Sequence, residues 1–178
     1  MFEIYKVKDV VRIPPDKFNE PLEKVAEESL KEIYEGRIIE GMGLIITVFN
    51  VKVSDEGYII PGDGATYHDA EFDMLVFNPR KSEVGLGIVV DLKRMGAFIN
   101  IGPIDGFTHI SQVMDDKVIY DELRGMLFGE ETKKFLTRDD IVRFRIVSVS
   151  IASPGHLRVS LTMRQPGLGR LDWVKVSE

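Results

Sequence analysis

The sequence predicts an α+β domain in residues 1–80 followed by an all-β, five-stranded barrel of the OB-fold type in residues 81–178. The first half contains one helical pattern among long strand patterns, whereas the second half contains only short strand patterns separated by glycines. A length of 178 residues suits one domain or two small ones. The turn signal Asn78-Pro79-Arg80 marks the boundary between the two halves.

The first domain opens with a strand and a helix. Residues 2–13 are rich in Val, Ile, Phe and Tyr and stop at two prolines, which cannot donate ladder hydrogen bonds, so they predict a strand. Residues 20–35 predict a helix, with Asn19 as its N-cap, Pro21 in its first turn and Gly36 at its C-terminal end. Its apolar face is formed at three- and four-residue spacing by Phe18, Leu22, Val25, Ala26, Ser29, Leu30 and Ile33.

Two further strands and a glycine-rich loop complete the first domain. Residues 44–53 are almost continuously β-branched or aromatic, which predicts a strand covered on both faces, and a second strand is expected at 65–76. The loop between them contains Gly62, Asp63 and Gly64. Such a loop often touches a partner, because glycine lets another backbone approach closely. The alternative is a plain hairpin loop, and the spacing does not fit a phosphate-binding loop.

Five short strands predict the barrel of the second domain. The last strand shows the pattern most clearly, because Leu157, Val159 and Leu161 alternate with Arg158 and Ser160. One face of this strand is therefore core and the other is polar. The five strand segments are EVGLGIVVDLKR, MGAFINIG, DGFTHIS, IVRFRIVSVS and HLRVSLTMR.

Aromatic side chains are predicted on the outside of this barrel. If Ala97 and Ile99 face the core, then Phe98 points outward, and the same counting groups Phe107 with His109. OB-folds bind single strands on the face of their second and third strands, where bases stack on aromatic rings. These three residues are therefore candidate RNA contacts. The alternative, that either phenylalanine caps the core and the histidine is an ordinary surface residue, remains open.

The charge is unevenly distributed along the chain. The formal charge is −6, which taken alone argues against a general polyanion binder. Residues 1–80 hold 9 basic and 16 acidic side chains, a net charge of −7, whereas residues 81–178 hold 14 and 13, a net charge of +1. Residues 141–171 contain five arginines and no Asp or Glu. These arginines predict an anion-binding surface, with the alternative that they only solvate strand faces. The candidates for RNA contact are Arg143, Arg145, Arg158 and Arg164.

Several classes of protein are disfavoured by what the sequence lacks. There is no cysteine, so disulfides and thiolate metal sites are excluded. The three histidines are far apart, and no metalloprotease or nucleophile-elbow motif occurs, so we expect no catalytic residue, no metal and no cofactor. Charges interrupt the first residues and no apolar run is long enough to span a bilayer. We therefore expect a soluble, cytoplasmic protein without membrane contact.

Two segments together resemble a known family. GAFINIGPIDGFTHISQ and, about forty residues later, HLRVSLTMRQ look like the S1-type RNA-binding domain, which is an OB-fold module. Read with the acidic α/β segment before it, with FNPRKSEVGLG at the junction and TMRQPGLG near the end, nearly the whole chain resembles the family of the archaeal RNA polymerase E-prime subunit. This is the counterpart of subunit seven of eukaryotic RNA polymerase II.

The resemblance implies a non-catalytic subunit of DNA-directed RNA polymerase. Its N-terminal tip domain, a truncated RNP-like sheet with one helix, would dock on the polymerase core, with Gly62, Asp63 and Gly64 as the expected contacts. The S1-type domain would face nascent single-stranded RNA, and the F subunit would pair with the chain to form the stalk. The alternatives are an S1-domain RNA-binding protein of translation or RNA decay and a purely structural stalk subunit.

The segment 114–140 is longer than a tight barrel turn. Its aromatic and aliphatic residues stand among charges, and we expect it to include short helical pieces. The residues in question are Tyr120, Leu123, Met126, Leu127, Phe128 and Phe135.

Overall fold

The chain divides into two compact units, Met1–Asn78 and Pro79–Glu178, called here unit 1 and unit 2. A computed structural model describes residues 1–152 and 155–174. Each unit has its own sheet and its own buried residues, and each is described by itself.

Unit 1 is a four-stranded antiparallel sheet with one helix against it. The strand order is β1-β4-β3-β2, so the first and last long segments of the unit are neighbours in the sheet. The strands are β1 (Phe2–Ile13), β2 (Ile38–Ile39), β3 (Gly43–Ile59) and β4 (Thr66–Phe77), and the helix is α1 (Leu22–Tyr34).

The helix packs one face on the sheet to form the core of unit 1. Val25, Ala26 and Leu30 are buried against strand residues such as Val11 and Phe72. Tyr34, in the last turn, donates a hydrogen bond to Asp9 of β1, and burial together with this bond raises the pKa of Tyr34 to about 12. Helix and sheet are thus joined by both apolar contact and a polar bond.

Three details of the predicted helix are wrong. Pro21, not Asn19, is the N-cap, and no side chain caps the helix there. Ile33, in the helix, and Phe18, which precedes it, are exposed rather than part of the buried face. Gly36 does follow the helix, with a φ of +77° that ends it as expected.

Strand β3 is longer than predicted and is not covered on both faces throughout. Register shifts between Phe49 and Lys52 and between Val53 and Gly57 let it bend and continue to Ile59. Its final residues pair only with the start of β4 and are exposed. The paired ends of β3 and β4 with the loop between them, residues 57–68, are called here the tip hairpin.

Unit 2 is the predicted five-stranded barrel with an inserted small sheet. The barrel order is β12-β7-β6-β5-β11, and pairing of β11 with β12 closes it, while β13 adds to β11. The strands are β5 (Val84–Lys93), β6 (Gly96–Asn100), β7 (Asp105–His109), β8 (Val118–Asp121), β9 (Met126–Gly129), β10 (Phe135–Leu136), β11 (Ile141–Ala152), β12 (His156–Thr162) and β13 (Gly169–Arg170).

The alternation predicted for the barrel strands is confirmed. Ala97 and Ile99 of β6, Phe144 of β11, and Val159 and Leu161 of β12 are all buried. Their neighbours in sequence point outward, so the outer surface of the barrel carries every candidate RNA-binding strand residue.

The expectation of helical pieces in residues 114–140 is wrong. The segment forms the three-stranded sheet β10-β9-β8, preceded by a single 3-10 turn at Ile110–Gln112. Leu127 and Leu136 are buried on one side of this sheet, and Gly125 makes its first turn with a φ of +61°. Strands of two to four residues are too short to display a period of two, which is why their pattern is hard to read.

Helix α1 has 13 residues, and the described part of the chain contains no helix with the length and hydropathy needed to cross a bilayer.

Candidate nucleic-acid interface and tip hairpin

Phe98 and Phe107 form a pair on the outer face of the barrel. They are directly opposite in the β6–β7 ladder, and their ring centroids are 5.2 Å apart at an interplanar angle of 49°. Both are half-buried, because each ring covers part of the other. The remaining ring surface faces outward, which is the arrangement on which bases stack.

One ring of this pair is covered by a lysine, which the sequence reading missed. The Nζ atom of Lys93 is 5.4 Å from the centroid of the Phe98 ring. Lys93 ends β5 opposite Gly96, so the tight turn at Arg94 and Met95 returns the chain beside its own aromatic residue. The available signal was the short hairpin spacing between KRMG and Phe98, which places a cation next to the ring.

His109 extends the same face by one residue pair. It is exposed, and its Nδ1 accepts a hydrogen bond from the Ser111 backbone N–H at 3.2 Å, with the Ser111 hydroxyl at 2.8 Å. Since Nδ1 accepts, a neutral ring carries its hydrogen on Nε2, which can donate to an incoming acceptor.

The structure brings only one of the four predicted arginines to this face. Arg158 is exposed on β12, two residues before Ser160, which pairs with Phe107. We call Lys93, Phe98, Phe107, His109 and Arg158 the aromatic platform.

The other three arginines lie elsewhere. Arg143 and Arg145 pair with Leu86 and Val84 on the opposite side of β5 from β6. Arg164 donates two hydrogen bonds to Asp115, at 3.1 and 2.9 Å.

Acidic side chains border the aromatic platform. Asp91 is paired with Phe98 across β5 and β6, and Arg138 donates to its carboxylate at 2.7 Å. This bond lowers the pKa of Asp91, and Lys93 Nζ lies 3.8 Å from the other oxygen of the same carboxylate, so Asp91 is paired with two cations. Asp105 ends the same face and accepts a hydrogen bond from Asn100 at 3.0 Å. Because Asp91 engages Lys93 and Asp105 adds a negative charge, few cations of the platform can neutralise phosphates, so only a short stretch of backbone can be held closely.

In the tip hairpin, Asp63 is a structural anchor. Its carboxylate accepts bonds from Arg12 Nε and Nη2 at 3.0 and 2.8 Å, from the Tyr67 hydroxyl at 2.5 Å and from the Ala65 N–H at 3.1 Å. The Arg12 guanidinium, followed by Tyr67 and Ala65, holds the pKa of Asp63 well below its usual range. Gly62 adopts a φ of +90°, which lets the loop turn back towards Arg12.

The outward surface of the tip hairpin is apolar. Tyr58, Ile59 and Ile60 are all exposed, and the Tyr58 ring stacks on Tyr67 with centroids 5.6 Å apart and an angle of 18°. The sequence reading named the glycines and Asp63 and missed these three residues. The signal was present as the apolar run YII directly before the glycines.

Known proteins resemble the chain over nearly its whole length. Residues 8–64 match the family described as the SHS2 domain found in the N terminus of Rpb7p/Rpc25p/MJ0397, and residues 78–150 match the S1 RNA-binding domain. The DNA-directed RNA polymerase subunit Rpo7 of Saccharolobus shibatae is 45% identical over 175 residues, which cover 98% of this chain and 97% of that protein. The chain belongs to the Rpo7 family.

Further relatives include both archaeal and eukaryotic polymerase subunits. Rpo7 of Sulfolobus acidocaldarius is 43% identical over 98% of this chain and 95% of its own length. The RNA polymerase III subunit RPC8 of Bos taurus is 25% identical over 97% of this chain and 98% of its own length. The resemblance and the fold class predicted from sequence are therefore confirmed.

Proposed function

We propose that this Rpo7-family chain is a non-catalytic subunit of DNA-directed RNA polymerase that forms the stalk with the F subunit. Membership of the family over 98% of the chain carries this proposal. In it, unit 1 docks on the polymerase core and unit 2 contacts nascent single-stranded RNA.

Core docking is assigned to the tip hairpin. The exposed Tyr58, Ile59 and Ile60 supply apolar area, which is the main source of free energy in protein association. Asp63 is committed to Arg12 and Tyr67, so its role is to position the loop rather than to touch the core. Gly62 and Gly64, named from the sequence, allow the loop to turn and to be approached closely.

RNA contact is assigned to the aromatic platform. Two rings can stack one or two bases, and Lys93, His109 and Arg158 can reach the neighbouring phosphates. With few cations and bordering carboxylates, binding should be weak and independent of sequence. Tethering to the polymerase would then raise the effective concentration of the platform at the transcript.

Purification of the tagged full chain from its own cells tests polymerase membership. We expect the large polymerase subunits to co-purify in stoichiometric amounts. Co-purification of ribosomes or of RNA-decay enzymes instead would support an S1-domain protein of translation or RNA decay. Co-purification of the polymerase subunits does not depend on RNA affinity. The test therefore reports on assembly separately from RNA contact.

The aromatic platform predicts a measurable loss of RNA affinity. Phe98→Ala combined with His109→Ala should weaken binding of a short fluorescent single-stranded RNA about tenfold, because stacking contributes roughly 1–3 kcal/mol per base. Fluorescence anisotropy across a salt series should give a slope corresponding to about two to four phosphates.

A matched double variant provides the control for RNA binding. Phe135→Ala with His156→Ala removes an exposed phenylalanine and an exposed histidine from other parts of unit 2. It should bind RNA like the native chain. Equal affinity of both double variants would place the RNA site away from the platform, and absence of RNA binding by the native chain itself would favour a purely structural stalk subunit.

Asp63 predicts an acid-sensitive tip hairpin. Because its folded pKa is lowered, the ion pair stabilises the loop above the unfolded pKa of about 3.9 and this stabilisation is lost as pH falls through the folded value. Hydrogen-exchange protection factors for residues 60–65 should therefore fall below about pH 4. Asp63→Asn should lower these protection factors already at neutral pH, with no further decrease in acid. The control Asp55→Asn, in the same strand as Tyr58, should behave like the native chain. A retained acid step in Asp63→Asn would assign it to another group.

A further inference from the structure

The base of the tip hairpin holds a buried histidine to which the proposed contacts give no role. His68 and Gly57 are the last and first residues of the hairpin, and they pair across β4 and β3. On its other side His68 pairs with Val11 of β1. Only 8% of His68 is exposed. Because a polar side chain buried to this degree needs hydrogen-bond partners, those partners indicate what it holds in place.

Strand β3 is bulged beside this histidine. Between the pair Val53–Ala70 and the pair Gly57–His68, β3 has three residues where β4 has one. A bulge bends its strand and interrupts the ladder, so side-chain contacts are needed to hold the bend in one direction. The exposed apolar residues 58–60 follow directly after this bend. Its angle therefore decides where they point.

The His68 imidazole spans the bulge. Its Nδ1 donates a hydrogen bond to the carbonyl oxygen of Ser54 at 2.8 Å, because a carbonyl can only accept. In a neutral ring, Nε2 then accepts from the hydroxyl of Thr66, at 3.0 Å. Ser54 is the first residue of the bulge and Thr66 is the first residue of β4. One ring thus joins the two strands of the hairpin at its base.

Gly57 provides the space in which this ring lies. A Cβ at Gly57 would be 2.6 Å from Cε1, 2.7 Å from Nε2 and 2.9 Å from Nδ1 of His68. The φ of Gly57 is outside the positive range that favours glycine. The requirement for glycine at this position therefore comes from the ring and not from the backbone conformation.

We propose that His68 is a positioning residue that sets the angle between the tip hairpin and the rest of the unit 1 sheet. It is buried, so it touches no partner itself and acts through Ser54 and Gly57 on residues 58–60. An apolar side chain could fill the space over Gly57 but would leave the Ser54 carbonyl without this donor. The consequence for docking rests on the proposed function, whereas the constraint on the angle does not.

Spin-label distances test the constraint in the free full chain. The sequence contains no cysteine, so Lys24→Cys on helix α1 and Ile60→Cys in the hairpin can each carry one nitroxide. Electron double resonance should give one narrow distance distribution, and His68→Ala should widen it about twofold because the bulge loses its side-chain constraint. His156→Ala, an exposed histidine of unit 2, is the matched control and should leave the distribution unchanged. An unchanged distribution in His68→Ala would overturn the proposal.

A double-mutant cycle tests the contact between the ring and Gly57. With His68 present, Gly57→Ala displaces the ring, so recovery of the large polymerase subunits with the tagged full chain should fall about tenfold. In a His68→Ala chain the same methyl group meets no ring, so adding Gly57→Ala should lower recovery by less than about twofold further. An equal loss in both backgrounds would overturn the proposal, because glycine would then be required for another reason.

His68→Gln separates positioning from the stability of unit 1. Its side-chain amide can donate to the Ser54 carbonyl, so recovery of polymerase should exceed that of His68→Ala. Hydrogen exchange of α1 amides should stay native in both variants, while amides of residues 57–68 exchange faster. Equal acceleration in α1 would make His68 a residue of general stability and overturn the proposal, as would equal recovery by the two variants.

Nitrogen NMR of the native chain provides a signature that stability alone does not move. The neutral His68 ring should carry its hydrogen on Nδ1 and leave Nε2 unprotonated. The opposite tautomer would contradict the bond to Ser54 and overturn the proposal. Absence of the large polymerase subunits from the native chain would instead refute the proposed function, and the spin-label distances in the free chain would still decide the role of His68.

Discussion

Gly96→Ala should destabilise unit 2 by more than about 3 kcal/mol and disrupt the aromatic platform. Gly96 has a φ of +150°, a conformation that residues with a Cβ rarely adopt. A Cβ would also lie 2.0 Å from the Thr108 carbonyl oxygen and 3.0 Å from the Cα of His109. Because Gly96 pairs with His109, the ladder that aligns Phe98 with Phe107 must separate to admit the methyl group.

Gly125→Ala is the matched control for this prediction. Gly125 also has a positive φ, +61°, but a Cβ there would meet nothing within 4 Å. Its substitution should cost only about 1–2 kcal/mol, the penalty of the left-handed conformation. Hydrogen exchange of β6 and β7 amides, with RNA anisotropy as a second readout, should separate the two variants. Equal exchange in both would show that the close approach at Gly96 relaxes without breaking the ladder.

The sequence was sufficient for the barrel because its strands alternate over five or more residues. Ala97 and Ile99 are buried as the parity requires, and this alone places Phe98 on the outer face. The same alternation identified the outward side chains of β11 and β12. It could not say which outward residues become neighbours, because that depends on strand register and on the shift between Ile146 and Ser148.

Register explains why the predicted arginine surface is divided. Arg158 lies on the same outer face as the platform because β12 runs parallel to β7 with Ser160 beside Phe107. Arg143 and Arg145 lie beyond β5, next to aliphatic residues. Lys93 was missed for a related reason: the two-residue turn at Arg94 and Met95 folds its side chain over the nearby Phe98 ring, which charge counting along the chain does not reveal.

Local signals failed where they were short or competed with tertiary packing. The segment 114–140 holds strands of two to four residues, too few to distinguish a strand from a helical turn. Asn19 has a good capping side chain, but the helix begins after Pro21, whose fixed φ suits a helix start. The anchoring role of Asp63 could not be predicted from the sequence, because its partner Arg12 is 51 residues away along the chain.

Leu30→Ala should destabilise unit 1 by about 2–5 kcal/mol, because it leaves a cavity between the helix and the sheet. Leu30 is fully buried among Val11, Ala70 and other core residues, whereas Ile33→Ala, on the exposed side of the same helix, should cost under about 1 kcal/mol. The tip hairpin shares β4 with this core, so polymerase recovery should fall in Leu30→Ala alone. RNA affinity should persist, because the platform lies in unit 2, which has its own core. Loss of RNA affinity together with polymerase recovery would mean that unit 2 depends on unit 1 for its stability. Hydrogen exchange, resolved by unit at equal temperature, distinguishes these results.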